Sequence, residues 1–290
     1  MAGPIGLARC GACGTAVTET ERGAAPLHET GAYGMRAPVL SDAALPILRA
    51  FDRQRLRLLG RALRPPPGSH DPRLLDVGAG RGRFVASARA AGYDAEGVEP
   101  TERGVIAARA LGVELRQARL EDTAVAPESL DAITAWHVLE HLDDPAGAVG
   151  RMAGWLRPGG VLLIGVPNLD SLQARWSGAR WYHLDLPRHR THFTPAGLRA
   201  LIVGQGLAPV HVHHLLLEHN AFGMWQSLVN RATRTPSYLY NLLKRNARLN
   251  AADLAVTAMA LPLAPLAAAL ELAAELARRG GTIAVCARRP

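Results

Sequence analysis

The sequence predicts an α/β chain organised on a parallel sheet, and three observations predict it. The stretch from Arg73 to Phe84, Arg-Leu-Leu-Asp-Val-Gly-Ala-Gly-Arg-Gly-Arg-Phe, reads as a short strand that breaks into a glycine loop and then opens a helix. Leu74, Leu75 and Val77 give the short apolar run that a strand covered on both faces carries. A second strand, Asp94 to Val98, ends in Glu99, and further apolar strands then alternate with helical stretches, as in successive βα units.

Gly78, Gly80 and Gly82 fall at alternate positions between the first strand and the helix Arg83–Ala91, which Gly92 stops. Glycines there allow positive φ and let a ligand approach the main chain without a Cβ in the way. The free N–H groups of the helix start then face that ligand. A dinucleotide fingerprint would place a small residue at position 83, but Arg83 stands there. Glu99, at the end of the next strand, suits a ribose with two free hydroxyls. The constellation Asp76-Val-Gly-x-Gly-x-Gly with Glu99 resembles the motif pair of class I S-adenosylmethionine-dependent methyltransferases.

That resemblance implies a Rossmann-like seven-stranded sheet of order 3-2-1-4-5-7-6, its last strand antiparallel. It makes S-adenosylmethionine the cofactor, with Asp76, Gly78, Ala79, Gly80 and Gly82 at its methionine part and Glu99 and Pro100 at the ribose. A helix (Thr101 to Leu111) and a third strand (Val113 to Gln117) lead to Leu120 and Glu121, the positions where related enzymes hold the adenine. The fourth strand, Leu130 to His137, runs into Val-Leu-Glu140-His141-Leu-Asp-Asp-Pro145. That run is similar to the signature of the ubiquinone-biosynthesis-like group, and implies that Trp136 and His137 line the cofactor pocket. Leu156-Arg157-Pro158-Gly159-Gly160 is expected as a turn before a fifth strand, Val161 to Val166. Independently of any family, ligands of an open α/β sheet gather at the carboxyl ends of strands, where Gly78, Glu99, Glu121, Trp136, His137 and Asn168 all fall.

The 290 residues, 48% hydrophobic, suffice for a sizeable core with additions. A net charge of +8 permits nucleic acid, an anionic membrane or an acidic substrate as partner; high arginine with high alanine is also what a GC-rich genome produces. Three cysteines argue against a disulfide scaffold, and the amino terminus does not read as a signal peptide, so the expected compartment is the cytoplasm.

Residues 1–36 carry Cys10-Gly-Ala-Cys13-Gly, a metal-knuckle spacing that needs two more ligands; His28 could be a third and nothing supplies a fourth. The segment resembles a degenerate zinc ribbon, is expected to pack as an irregular arm, and no metal is assigned. Ser41 to Leu63 is an amphipathic helix that should cover one side of the sheet or the cofactor, and Pro65-Pro66-Pro67-Gly68-Ser69 is a stiff linker. The methyltransferase domain is expected over 37–215 plus 282–290, with a basic and apolar helical insertion over 216–281.

Trp176 to Phe193 is a loop rich in aromatics and histidines, expected either as an acceptor-substrate lid or as a segment tied down by Arg188 and His192. Thr194-Pro195 then suits the start of a helix, Ala196 to Val203. A sixth strand, Leu207 to Leu215, and a last strand, Thr282 to Ala287, bracket the insertion. Its uncharged run Leu254–Leu270 holds Pro262 and Pro265, is just short of a comfortable membrane span, and follows basic residues such as Arg231, Arg234, Lys244 and Arg248. It reads as a helix pair lying on a membrane or a lid over the substrate, with a homodimer contact as the alternative.

The expected reaction is in-line transfer of a sulfonium methyl to an O, N or C nucleophile of a small-molecule or lipid-like acceptor, with oxygen first. The residues for a base are His189, His192 and His141, since imidazole titrates near neutral pH. RNA or protein methylation and a cofactor-binding module without turnover are the rivals. Base methylation of nucleic acid is disfavoured, because Ala135-Trp136-His137 stands where an Asn-Pro-Pro-Tyr run would be and no cysteine occurs between Cys13 and Cys286.

Overall fold

A computed structural model describes residues 6–19, 41–63, 71–216, 220–244 and 247–290. His28 and the proline linker at 65–69 lie outside them. In chain order the elements begin with β1 (Gly6–Arg9), β2 (Ala16–Glu19), α1 (Ser41–Ala62), β3 (Arg73–Val77), α2 (Arg83–Ala90), β4 (Asp94–Glu99), α3 (Glu102–Arg109), β5 (Arg116–Gln117) and β6 (Leu130–Trp136). They continue with α4 (Pro145–Trp155), β7 (Leu156–Pro167), α5 (Leu172–Ser177), β8 (Thr191–His192), α6 (Pro195–Gly204), β9 (Ala208–His213), α7 (Asn220–Val229), α8 (Tyr238–Leu243), α9 (Ala251–Ala260), α10 (Ala264–Leu276) and β10 (Thr282–Arg288). They fall into two compact units. One joins residues 1–48, 167–195 and 214–283; the other joins 49–166, 196–213 and 284–290.

The second unit holds the seven-stranded sheet, ordered β5-β4-β3-β6-β7-β10-β9. With its strands numbered along the chain this is the expected 3-2-1-4-5-7-6, and β10 runs antiparallel to β9. The central strands β3 and β6 are buried along nearly their whole length, which is why they read as continuous apolar runs and not as an alternation. The Asp-Pro of the signature run is a helix start: Asp144 accepts the Gly147 N–H at 2.9 Å and Pro145 takes the first helical position.

Two boundaries differ from expectation. The Leu-Arg-Pro-Gly-Gly turn lies within β7, as a bulge between the pairs Leu130–Leu156 and Ala132–Val161. Its main chain is captured by the carboxyl terminus: the Gly159 N–H donates to Arg289 and the Arg289 N–H to Gly160, both at 2.9 Å. The third strand shrinks to Arg116–Gln117 because only that part meets the end of β4.

The first unit corrects the expectation of an irregular amino-terminal arm. β1 and β2 form a hairpin, and β2 pairs with β8 in a three-stranded antiparallel sheet. The Cys10–Gly14 run makes the tight connection, with Cys10 N–H on Thr15 at 2.8 Å and Gly14 at φ 73°. β2 then alternates, Ala16 and Thr18 inward and Val17 outward. The insertion is also more than a helix pair. Pro262 and Pro265 do not separate α9 from α10, because a 3-10 turn at Leu261–Leu263 keeps the chain helical from Ala251 to Leu276. Pro265 follows directly on that 3-10 turn, at the start of α10.

Candidate active site

The site is built at the carboxyl ends of β3, β4 and β6. After Val77 the chain turns through Gly78 at φ 70°, Gly80 at 56° and Gly82 at 72°. A Cβ on Gly78 would lie 2.5 Å from the Val138 side chain, so this glycine is required by packing as well as by φ. A Cβ on Gly80 would meet nothing within 4 Å. The main chain at Gly80 is therefore the open face of the loop, the side from which a ligand can reach it.

Glu99 closes the other side. The Gly80 N–H donates to Glu99 Oε2 at 2.9 Å, and the Thr101 N–H and hydroxyl donate to Oε1 at 3.1 and 2.5 Å. These three bonds fill about three of the four acceptor sites of a carboxylate. Gly104 makes the approach feasible, since a Cβ there would lie 2.6 Å from Glu99 Cγ and 2.7 Å from the Gly80 carbonyl oxygen. The signal for Gly104 was present in the sequence, a glycine in the first turn of the helix after the acidic strand end, but its purpose is visible only in three dimensions.

Beside the loop is a cleft of about 240 Å³ lined by Arg55, Asp76, Gly78, Ala79, Arg81, Arg83, Phe84 and Trp136. Asp76 Oδ1 accepts the Thr134 hydroxyl at 2.6 Å, and burial pushes the Asp76 carboxyl up to about 6. Arg55 lays its guanidinium 4.3 Å from the centre of the Trp136 ring and 5.4 Å from that of Phe84. Trp136 packs on Gly165, where a Cβ would lie 2.6 Å from the indole ring. Asp52, fully buried, pairs with Arg83 and accepts the Ser87 hydroxyl at 3.1 Å. This pairing gives Arg83 its purpose at the position a dinucleotide loop would keep small. Burial raises the Asp52 carboxyl, against the opposing pull of Arg83 and Arg55.

At the end of β6 the chain turns through His137 at φ 54°. His137 Nδ1 lies 3.0 Å from Oε1 of buried Glu140, so the carboxylate orients the ring, and the neutral tautomer keeps its proton on Nδ1 and its lone pair on Nε2. Glu140 as orienter was not assigned from the sequence. Pro100 stands exposed after β4; Leu120 is buried and Glu121 exposed in the turn after β5. His141 ends the 3-10 turn Leu139–His141.

His189 and His192 belong to the first unit, both buried. His189 Nδ1 is 2.7 Å from the His183 carbonyl oxygen, which only accepts, so Nδ1 carries the proton. The Thr18 hydroxyl donates to the His189 carbonyl oxygen at 2.5 Å, which leaves it to accept from His192 Nε2 at 3.0 Å. Arg188 pairs with Asp185 at 2.6 Å. The Arg188 pair lies within the loop 176–193, whereas Thr18 ties the loop to β2 through the His189 carbonyl and His192. Asn168 is likewise occupied, its Nδ2 donating to the Gly280 carbonyl oxygen at 3.0 Å.

An α/β sheet with a glycine loop, an acidic end on the neighbouring strand and a polar cleft beside the loop defines a protein that binds a ribose-bearing amino-acid or nucleotide cofactor. A family profile described as a methyltransferase domain matches residues 46–212, and the chain belongs to this family, the class I S-adenosylmethionine-dependent methyltransferases. It is similar to a ubiquinone biosynthesis O-methyltransferase of Cereibacter sphaeroides, 32% identical in an alignment of 151 residues that covers 48% of this chain. The chain spans 61% of the length of that relative. Among solved structures, an S-adenosylmethionine-dependent methyltransferase from Archaeoglobus fulgidus matches with a TM-score of 0.51 at 18% identity, covering 83% of this chain and 94% of the other. The [4+2]-cyclase SpnF matches with a TM-score of 0.52 at 17% identity, covering 88% and 96%. Both likenesses are of fold, and together they illustrate that one scaffold carries more than one chemistry.

Proposed function

We propose that the chain transfers the methyl group of S-adenosylmethionine to an oxygen of a hydrophobic small-molecule or lipid-like acceptor. The carrying observation is the Glu99 carboxylate held on the Gly80 N–H beside the open face of the glycine loop. When bound, the cofactor supplies an electrophilic methyl on a sulfonium. The chain's residues hold, orient and deprotonate. Asp76 and Arg55 offer an amino-acid zwitterion a carboxylate for its ammonium and a guanidinium for its carboxylate. Glu99 offers a ribose diol its remaining acceptor site and the one it shares with the Thr101 hydroxyl. Pro100, Leu120 and Glu121 fall where related enzymes flank the base, and Trp136 walls the cleft against water. Holding donor and acceptor in line with water excluded can provide most of the acceleration.

Oxygen as the acceptor atom is supported by the name of the relatives, ubiquinone biosynthesis O-methyltransferases. A hydroxyl acceptor benefits from a base. His137 is the candidate, its Nδ1 held by Glu140 at the end of the strand whose Trp136 lines the cleft. His189 holds its Nδ1 on the His183 carbonyl and turns its Nε2 toward Asp185 at 3.9 Å, and His192 bonds Thr18. The test supplies hydroxylated aromatic acceptors with and without an isoprenoid tail and measures S-adenosylhomocysteine release. His137→Asn and Glu140→Gln should lower kcat for hydroxyl acceptors while leaving cofactor affinity within a fewfold. Methyl label appearing in RNA or protein instead of in these acceptors would overturn the proposal.

A further inference from the structure

The insertion sorts its charges by sign. Between residues 220 and 281 the only acids are Asp253, Glu271 and Glu275, and all three are buried. Asp253 accepts from the backbone N–H groups of Arg234 and Thr235, Glu271 from the Gln173 side-chain amide and the Gly281 backbone N–H, and Glu275 from the Asn220 side-chain amide. Arg231, Arg234, Arg248, Arg278 and Arg279 are exposed. The solvent-facing charge of this segment is thus positive throughout its described residues.

Between these cations lies the helical run Ala251–Leu276, apolar by composition and mostly exposed. Met259 is 80% exposed, Leu263 55% and Leu276 70%, and Leu261, Leu266 and Leu272 are exposed as well. Contiguous apolar surface of this kind marks a binding face. Arg248 precedes the run, and Arg278 and Arg279 follow it.

We infer that the run Ala251–Leu276 lies in the headgroup region of an anionic bilayer, its leucines in the acyl boundary and Arg248, Arg278 and Arg279 on the lipid phosphates. Sign selects the occupant: a second copy of this face would bring the same cations together, whereas an anionic surface neutralises them. The buried acids decide between lying and spanning. Asp253 near one end and Glu271 and Glu275 near the other tie the run to its own unit, and Trp225 Nε1 donates to the Ala260 carbonyl oxygen at 2.8 Å in its middle. A helix fixed along its length to a folded unit can lay its free surface on a membrane but cannot cross one without breaking those bonds. The inference stands on this surface alone and does not depend on the methyl-transfer reading.

The full chain is tested by flotation with vesicles of neutral phosphatidylcholine and with vesicles that also contain phosphatidylglycerol, across a salt series. Binding should require phosphatidylglycerol and weaken steadily with salt. Replacing Arg248, Arg278 and Arg279 together by Gln should lower partitioning by about 100-fold, roughly fivefold per cation. The triple change Met259→Ser, Leu263→Ser and Leu266→Ser should abolish it with an unchanged circular-dichroism spectrum. Equal binding to both vesicle types, salt-independent binding, or no binding would each overturn the inference; a dimer that the serine variant dissolves, with no vesicle binding, would replace the bilayer by a second copy. Because the wild-type salt series needs no variant, a misfolded variant would not rescue the idea.

Discussion

Glu99→Gln isolates the interaction on which the cofactor site turns. The two side chains have the same shape, but every polar neighbour of Glu99 is a donor: Gly80 N–H on one oxygen, Thr101 N–H and hydroxyl on the other. The amide NH2 must therefore face one of these donors. Turned toward Gly80, it breaks the 2.9 Å bond that holds the glycine loop; turned toward Thr101, it leaves the N–H of this N-cap residue unmatched while the hydroxyl rotates. A hydrogen bond to a charged group contributes about 1.5–3 kcal/mol, so the unliganded chain should lose roughly that much stability. The ribose diol loses a charged acceptor in addition. Another 1.5–3 kcal/mol corresponds to about 10- to 150-fold weaker binding. Titration calorimetry with S-adenosylhomocysteine, run beside thermal melts of the ligand-free chain, separates the two effects. A Kd within twofold of the wild type, in a chain that has lost stability, would refute the assignment of Glu99 to the ribose and leave it as a loop anchor only.

Burial pushes the Glu275 carboxyl up to about 7, from an ordinary value of 4.5, and the neighbouring Glu271 adds to the shift. The folded chain then keeps a proton that the unfolded chain has released, so the contribution is complete below 4.5 and lost as pH rises through about 7, a fall of at most ~3 kcal/mol. Denaturant titrations from pH 4.5 to 8 should show that decline, and Glu275→Gln should flatten it; an unchanged slope in the variant would assign it to another group. Gly104→Ala places a Cβ against Glu99 and the Gly80 carbonyl, and should weaken cofactor binding at least tenfold while the melt falls by no more than a core substitution's ~1–3 kcal/mol; full affinity would show that α3 yields. His192→Ala leaves the Thr18 hydroxyl without its donor in a buried site and should cost about 1–3 kcal/mol of stability, with kcat per folded molecule retained; a large kcat loss at unchanged stability would restore His192 to the chemistry. Activity should survive a chelator, since no metal is assigned to the site; loss restored by magnesium would reverse that.

Local chemistry made the cofactor half legible. Positive φ at Gly78, Gly80 and Gly82, an apolar strand before them, a carboxylate at the next strand end and the Asp144-Pro145 helix start are each encoded within a few consecutive residues, so the sequence alone determined them. The strand order followed from the same motifs through their family resemblance. Only the tertiary structure decided the contacts between residues far apart in the chain. Asp52 meets Arg83 and Arg55 lies over Trp136 because α1 packs beside the loop, and no spacing announces that. The Cys10–Gly14 run is the turn of a hairpin whose sheet is completed by β8, far along the sequence, and nothing in its own residues announces that partner. The insertion shows the same limit. The sequence cannot tell which of its charges face water, and burying Asp253, Glu271 and Glu275 on hydrogen-bond donors is what leaves, among the described residues, an apolar surface edged by cations. Burial of a charge depends on partners brought from other segments, and those partners exist only once the chain has folded.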